Sequence, residues 1–428
     1  MPVTTAPPLE KLGWKRHAAI LGYALLIVIV SRLLLYGIGY LGLNLFPVYT
    51  MQPTYKTFDL GDGQVLQVMD LPEKLSDTQV LKPAHVYKFD VFSYMSIARD
   101  GYHTYQIDEP HPPANWVFFP LYPMMVKGLS YVLPWSLHTI GLVLSNVLLV
   151  FALYFIHLTA LARGVAKEGI GFILFTVVVY PASIYFSLMY TESLFLLLCA
   201  ATLYFAHTKR FFWAMLAAGL STVTRVPGIA NLVFAGGAIL VELIRRRKLV
   251  WADARFLAYA VMAVLPMLSY LVYMKNLTGD FLAPMHEQDN WGRATAFPFG
   301  NYVHYFSKPY FILSGGGWDN GVISFVMATF ALLVFFLYAV KHWRKLSGNL
   351  MELLFFVYGF FLIAIPFSSS PDLLTSIVRY MMVSIPMYFY LHDLTARYPL
   401  VRSAAVTLLI MLNTVITICF VTEYFFVV

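Results

Sequence analysis

The 428-residue chain is 60% hydrophobic and 12% charged, with a mean hydropathy of +0.70, whereas soluble domains carry about 25% charged residues. This excludes a soluble enzyme and points to a polytopic membrane protein, since each bilayer crossing takes about 20 mainly apolar residues. The net charge of +7 invites a nucleic-acid reading, but the placement of the charges along the chain explains it through topology.

Residues 1–16 are Pro-bearing and then basic, with Lys11, Lys15 and Arg16. The apolar run that follows exceeds the about 7–15 residues of a signal-peptide core and lacks a clear small-residue cleavage site, which predicts a retained first helix at 18–45. Arg32 lies inside that helix, where an arginine is costly unless paired or functional.

A long polar loop, 47–135, comes next. Its run Lys88-Phe89-Asp90-Val91-Phe92-Ser93-Tyr94-Met95-Ser96-Ile97-Ala98-Arg99-Asp100-Gly101-Tyr102 has apolar residues at 91, 94, 95 and 98. That spacing fits a short amphipathic helix at the membrane surface. Asp90 at its start and Gly101 past its end suit an N-cap and a C′ glycine. Capping alone is one reading of Asp90, and an N-cap and a catalytic base can also coincide. Further on, Asn115-Trp116-Val117-Phe118-Phe119-Pro120-Leu121-Tyr122-Pro123 reads as an aromatic anchor leading into a second juxtamembrane helix.

Further membrane helices are expected at 136–161, 168–187, 189–207, 211–225, 227–244, 255–275, 319–341, 350–367, 376–393 and 402–425, making eleven. A second polar loop covers 276–318. No ten-residue alternating segments suggest a β-barrel, and the high aromatic content, 17%, suits a helix bundle with interfacial belts. Cys199 and Cys419 both fall in apolar runs and support neither a disulfide framework nor a zinc site.

The connections alternate between two sides. One side collects seventeen of the 29 lysines and arginines against six acids, in clusters such as Arg163/Lys167, Arg245 to Lys248 and Lys341/Arg344/Lys345. The other side has eleven basic and sixteen acidic residues. By the positive-inside rule the basic loops face the cytoplasm, the two long loops face out, and the chemistry is expected outside.

Several segments together resemble the PIG-V-like mannosyltransferases of the GT-C class of integral-membrane glycosyltransferases. They are Phe89-Asp90 with Tyr94 and Ile97 to Tyr102; Phe118 to Pro123; Tyr180-Pro181-Ala182-Ser183 with Tyr190 to Phe195; Thr224-Arg225; Gly279-Asp280 with His286, Gln288 and Trp291-Gly292-Arg293; and Arg379-Tyr380 before Pro386. The resemblance spans roughly residues 18–395, in order. Phe89 stands where the family commonly has Trp, a departure that bears on donor or acceptor preference.

The resemblance implies an all-α, GT-C-like bundle forming a single domain over residues 1–428. It also implies transfer of mannose from a polyprenyl-phosphate-mannose donor to a lipid-linked or glycolipid acceptor at the outer membrane face. An aspartate of the first outer loop would act as base, here Asp90, with Asp100 second. In-line displacement predicts inversion at the anomeric carbon. The departing lipid phosphate calls for cations, and the candidates are Arg225, Arg379, Arg293 and Arg32. Each arginine could instead snorkel or pair with Glu192, Asp280 or Asp372. His286, Gln288, Trp291, Tyr122 and Glu192 are expected substrate contacts. His286, Glu287 and Asp289 could suggest a divalent ion, but the expectation is that no metal or other cofactor is needed.

Two other readings stand beside this one: a GT-C enzyme with a different sugar or a protein acceptor, and a secondary transporter. A transporter is expected to show paired interrupted helices in two related halves. Only the region near Pro227 looks interrupted. The single triplet Asn276-Leu277-Thr278 reads as a chance glycosylation match and suits a prokaryotic plasma membrane, with the endoplasmic reticulum as the alternative.

Overall fold

A computed structural model describes residues 13–46, 55–61, 64–69, 79–107, 109–248, 250–292, 296–307, 321–370, 374 and 376–423. The first helix, α1, covers Trp14–Leu45. Next comes an antiparallel hairpin, β1 Tyr55–Gly61 and β2 Gln64–Met69, in register Tyr55↔Met69 to Asp59↔Val65. It modifies the all-α expectation within the first long polar loop. The same loop holds two short helices, α2 Asp90–Asp100 and α3 Leu121–Ser130, in the two stretches where the sequence predicts short helices.

The bundle proper begins with α4 Leu137–Ala162, α5 Lys167–Val178, α6 Glu192–His207, α7 Phe211–Thr222, α8 Gly228–Arg246 and α9 Arg255–Thr278. Two short helices, α10 Ala283–His286 and α11 Gly300–Ser307, follow in the second long polar loop. The chain then returns through α12 Val322–Gly348, α13 Leu350–Ala364, α14 Ile377–Met381, α15 Ile385–Thr395 and α16 Pro399–Val421. Among the described residues, seven segments are long and apolar enough to cross a membrane: α1, α4, α8, Trp251–Thr278, α12, Leu350–Ser368 and α16.

The remaining expected crossings are helical but shorter or broken, and prolines account for the breaks. Pro181 disfavours helical backbone at Tyr180, so α5 stops at Val178 and the chain passes through a 3-10 turn, Ser183–Ser187, before α6. Pro227 separates α7 from α8. Pro386 occupies the first turn of α15, where its missing N–H is tolerated, and so divides α15 from α14. At 16 residues, α6 spans only about 24 Å of a hydrocarbon core of about 30 Å. Non-helical backbone at such depth is tolerated where protein buries it or where it lines a cavity.

Close helix approach depends on small residues. A Cβ on Gly359 of α13 would meet Pro386 Cβ at 2.5 Å, and one on Gly219 of α7 would meet Ala263 O of α9 at 2.5 Å.

The basic loops converge at one end of the bundle. Arg163 bonds Glu352 (2.8 Å) and His207 (3.0 Å), Lys345 reaches Glu352 (3.1 Å), and Lys209 pairs with Glu242 (2.9 Å). His207 ends α6 and Glu192 begins it, so the polar residues around Glu192 lie about 22 Å further along that helix. The arrangement agrees with the two-sided charge distribution, and it puts the helix breaks at the end away from the basic loops.

Candidate functional site

Four charged side chains from distant parts of the chain meet beside the proline-induced breaks. Asp90 is the first residue of α2, Glu192 the first of α6, Arg225 lies between α7 and α8, and Arg379 sits in α14. Arg379 Nη2 donates to Asp90 Oδ2 at 2.6 Å, and its Nε donates to Glu192 Oε1. Arg225 Nη1 donates to the same Glu192 oxygen. The result is one bonded chain, Asp90–Arg379–Glu192–Arg225, with two cations and two anions. Glu192 is fully buried, and its Oε2 has no partner among the described residues.

Tyrosines wall these charges. The guanidinium of Arg379 lies 4.6 Å from the ring centre of Tyr190 and 5.0 Å from that of Tyr185, and Arg225 lies 4.9 Å from that of Tyr380. Aromatic faces attract cations through their quadrupole, so the tyrosines help hold two arginines in an otherwise apolar bundle. Tyr190 and Tyr380 belong to segments singled out from the sequence. Tyr185 carries no sequence signal, because its role follows from the turn that aims it.

Asp90 is placed by its neighbours rather than by capping. Phe89, not Asp90, is the residue before the helix, with φ 55° and ψ −125°, and no side chain caps α2. A non-glycine residue with positive φ is strained, and flanking contacts hold it. Lys88 donates to the carbonyls of Phe420 (3.3 Å) and Val421 (3.0 Å) at the end of α16, while Tyr190 OH donates to the Lys88 carbonyl at 3.2 Å. The Asp90 side chain is thereby directed to Arg379, while its charge also sits favourably at a helix N-terminus.

Asp100 is far from this cluster. It closes α2 about 15 Å along the helix from Asp90, is exposed, and pairs with Arg99 at 2.8 Å. Its hydrogen bond with Arg99 holds its carboxyl below the usual range, which weakens it as a base.

Arg32 is used inside the bundle. Its Nη1 donates to Ser183 O (2.9 Å) and Ser187 Oγ (2.7 Å), and Ser187 Oγ donates to Asn146 Oδ1 (3.0 Å). Asn413 Nδ2 donates to Tyr180 O (2.6 Å) and Ser183 Oγ (2.7 Å). Thus α1, α4 and α16 together grip the turn that carries Tyr185. Sequence reasoning passed over Asn146 and Asn413; a lone polar residue in an apolar helix is the signal that could have found them.

The second long polar loop latches onto the first. Glu287, fully buried, accepts from Ala114 N (2.6 Å) and Asn290 Nδ2 (3.0 Å), and Trp291 Nε1 donates to Ala114 O (2.9 Å). His286 pairs with Asp280 at 2.7 Å, and Gln288 Nε2 reaches Pro284 O at 3.3 Å. Tyr122 is buried between α3 and α4, bonded to Gly141 O (2.9 Å) and Ser145 Oγ (2.7 Å). His286, Gln288, Trp291 and Tyr122 thus make their hydrogen bonds outside the charged cluster, whereas Glu192 lies at its centre. Arg293 and Asp372 lie outside the described residues. The latch connects to the cluster through rings: Trp291 meets Phe118, Phe118 meets Tyr94, and Tyr94 meets Tyr190.

Removing Glu287 should open the latch. Glu287→Ala leaves the Ala114 N–H buried without its partner, a cost of about 1–3 kcal/mol. Limited proteolysis should then cut near residues 103–116 faster than in wild type; an unchanged digestion pattern would show that other contacts hold the loops together.

The chain matches no family model and no curated protein. Among solved structures it is similar to the oligosaccharyltransferase of Archaeoglobus fulgidus in its apo form, at 11% identity and TM-score 0.42, covering 98% of this chain and 56% of that chain. It is also similar to the archaeal oligosaccharyltransferase AglB of the same organism in complex with an inhibitory peptide and a dolichol-phosphate, at 10% identity and TM-score 0.43, covering 97% and 56%. The chain thus spans little more than half the length of the solved structures it matches.

Proposed function

We propose that the chain is an inverting, GT-C-type membrane glycosyltransferase that moves mannose from a polyprenyl-phosphate-mannose donor to a lipid-linked or glycolipid acceptor at the outer membrane face. The observation that carries this reading is the bonded chain Asp90–Arg379–Glu192–Arg225 at the bundle end away from the basic loops. It supplies a carboxylate to take a proton and two guanidiniums to meet a phosphate. The ordered segments resembling the PIG-V-like mannosyltransferases supply the sugar and the donor class.

The acceptor hydroxyl oxygen attacks the anomeric carbon while its proton passes to Asp90. The carbon–oxygen bond to the phosphate breaks, and the lipid phosphate leaves with the electron pair. Arg379 and Arg225 stabilise that growing charge from fixed positions, which is worth more in a water-poor site than in bulk solvent. The buried guanidinium of Arg379 and the partly buried one of Arg225 supply the positive charge that a divalent ion would otherwise bring, so transfer is expected to persist in EDTA.

The test is transfer of labelled mannose from polyprenyl-phosphate-mannose to extracted lipids by purified protein in liposomes, with and without EDTA. Transfer in both conditions, with donor use weakened in Arg225→Ala and Arg379→Ala, is the expected result. Transfer lost in EDTA would refute the metal-free reading, and unchanged donor kinetics in both variants would refute the phosphate assignment. No consumption of any lipid-phosphate sugar would overturn the enzyme reading and favour a transporter.

A further inference from the structure

Resting on the glycosyltransferase reading, we infer that Asp90 competes with the donor phosphate for Arg379, so that donor binding itself releases the base. Three observations lead there. Arg379 Nη2, the atom a phosphate oxygen would meet, is bonded to Asp90 at 2.6 Å. That carboxylate oxygen is thereby engaged by the guanidinium rather than presented to an incoming hydroxyl. The cluster holds two arginines and two carboxylates, leaving no net attraction for an anion. The two carboxylates also differ in access, since the side chain of Asp90 is 16% exposed, that of Glu192 is 0% exposed, and that of Arg379 is 4% exposed.

Exposure decides which carboxylate yields. Glu192 is anchored by Arg225 as well as Arg379 and has no route to solvent, so it stays as the permanent counter-ion. Asp90 reaches the edge of the cluster and is held there by one guanidinium. Once it swings out, two arginines face one carboxylate and the site carries one net positive charge. That matches the single negative charge of a phosphodiester donor. The freed Asp90 then accepts the acceptor's proton as the new glycosidic bond forms and the phosphate departs. In the absence of donor the base is covered, which keeps the site from activating a hydroxyl or a water with nothing to transfer.

Direct binding of geranylgeranyl phosphate, a short polyprenyl monophosphate, tests this in detergent-purified wild type and in Asp90→Asn, with geranylgeraniol as the tail-only control. A ligand that must displace an internal competitor binds in proportion to the competent fraction. Asp90→Asn should therefore bind geranylgeranyl phosphate about tenfold or more tightly than wild type, with no change for geranylgeraniol. Equal or weaker phosphate binding by the variant, with wild type binding, would overturn the gate and leave the glycosyltransferase reading standing. Phosphate-independent binding in both proteins would overturn both.

A measurement on wild type alone keeps the inference testable should Asp90→Asn misfold. Asp90 labelling by a water-soluble carbodiimide and an amine, read by mass spectrometry, should rise when geranylgeranyl phosphate is added and not when geranylgeraniol is. Unchanged or reduced labelling would overturn the gate.

Discussion

Asp90→Asn should lower mannose transfer by about 10²–10⁴-fold, the range that a positioned general base contributes. The amide has the shape of the carboxylate and still offers Arg379 an oxygen, but it cannot take up the acceptor's proton. Arg379 keeps its bond to Glu192 in the variant, so the protein should still purify as wild type does. Initial rates of labelled transfer, with protein amounts matched by gel filtration, measure the effect. A rate within a few-fold of wild type would remove Asp90 as the base. The same variant should bind the lipid phosphate more tightly, and loss of turnover with a gain in product affinity is a pairing that general misfolding does not produce.

Glu192→Gln should be among the most destabilising single changes in the bundle. Both guanidiniums converge on this residue, which is fully buried. Removing its charge leaves two arginines with only Asp90 between them, and breaking a buried ion pair by removing one partner costs about 3–5 kcal/mol. The tyrosine rings soften the loss without supplying a full negative charge. The loss of monodisperse protein on heating, compared between wild type and variant in the same detergent, measures the effect. A transition at the wild-type temperature would show that the arginines find another counter-ion and that Glu192 is not their anchor.

Much of the helical layout was legible from the sequence. Each of the eleven apolar segments carries helix, because an uninterrupted apolar stretch has one stable arrangement in lipid, with every backbone polar group bonded within the helix. The breaks were partly legible, since Pro181, Pro227 and Pro386 all stand in the sequence; helices 168–187 and 376–393 were nevertheless expected to run through. Asp90, Glu192, Arg225 and Arg379 were all singled out, yet as a base, a substrate contact and two phosphate ligands acting separately. The sequence also admits pairing of Glu192 with an arginine in place of substrate contact, and in the structure Glu192 pairs with both Arg225 and Arg379.

Hydropathy and charge placement by themselves determined that this is a polytopic membrane chain with its basic loops on one side and its long polar loops on the other. Both properties are local, set by transfer of each segment out of water and by the charges flanking it. Only the tertiary structure decided which charges meet. Residues 90, 192, 225 and 379 are separated by long stretches of helix whose packing, through contacts such as Gly359 on Pro386 and Gly219 on Ala263, fixes where each break falls in space. It likewise turned Trp291 and Glu287 into a latch, Tyr122 into a brace and Arg32 into a grip on a buried turn. A buried polar group must find its partner wherever the fold puts one, and sequence spacing does not record that.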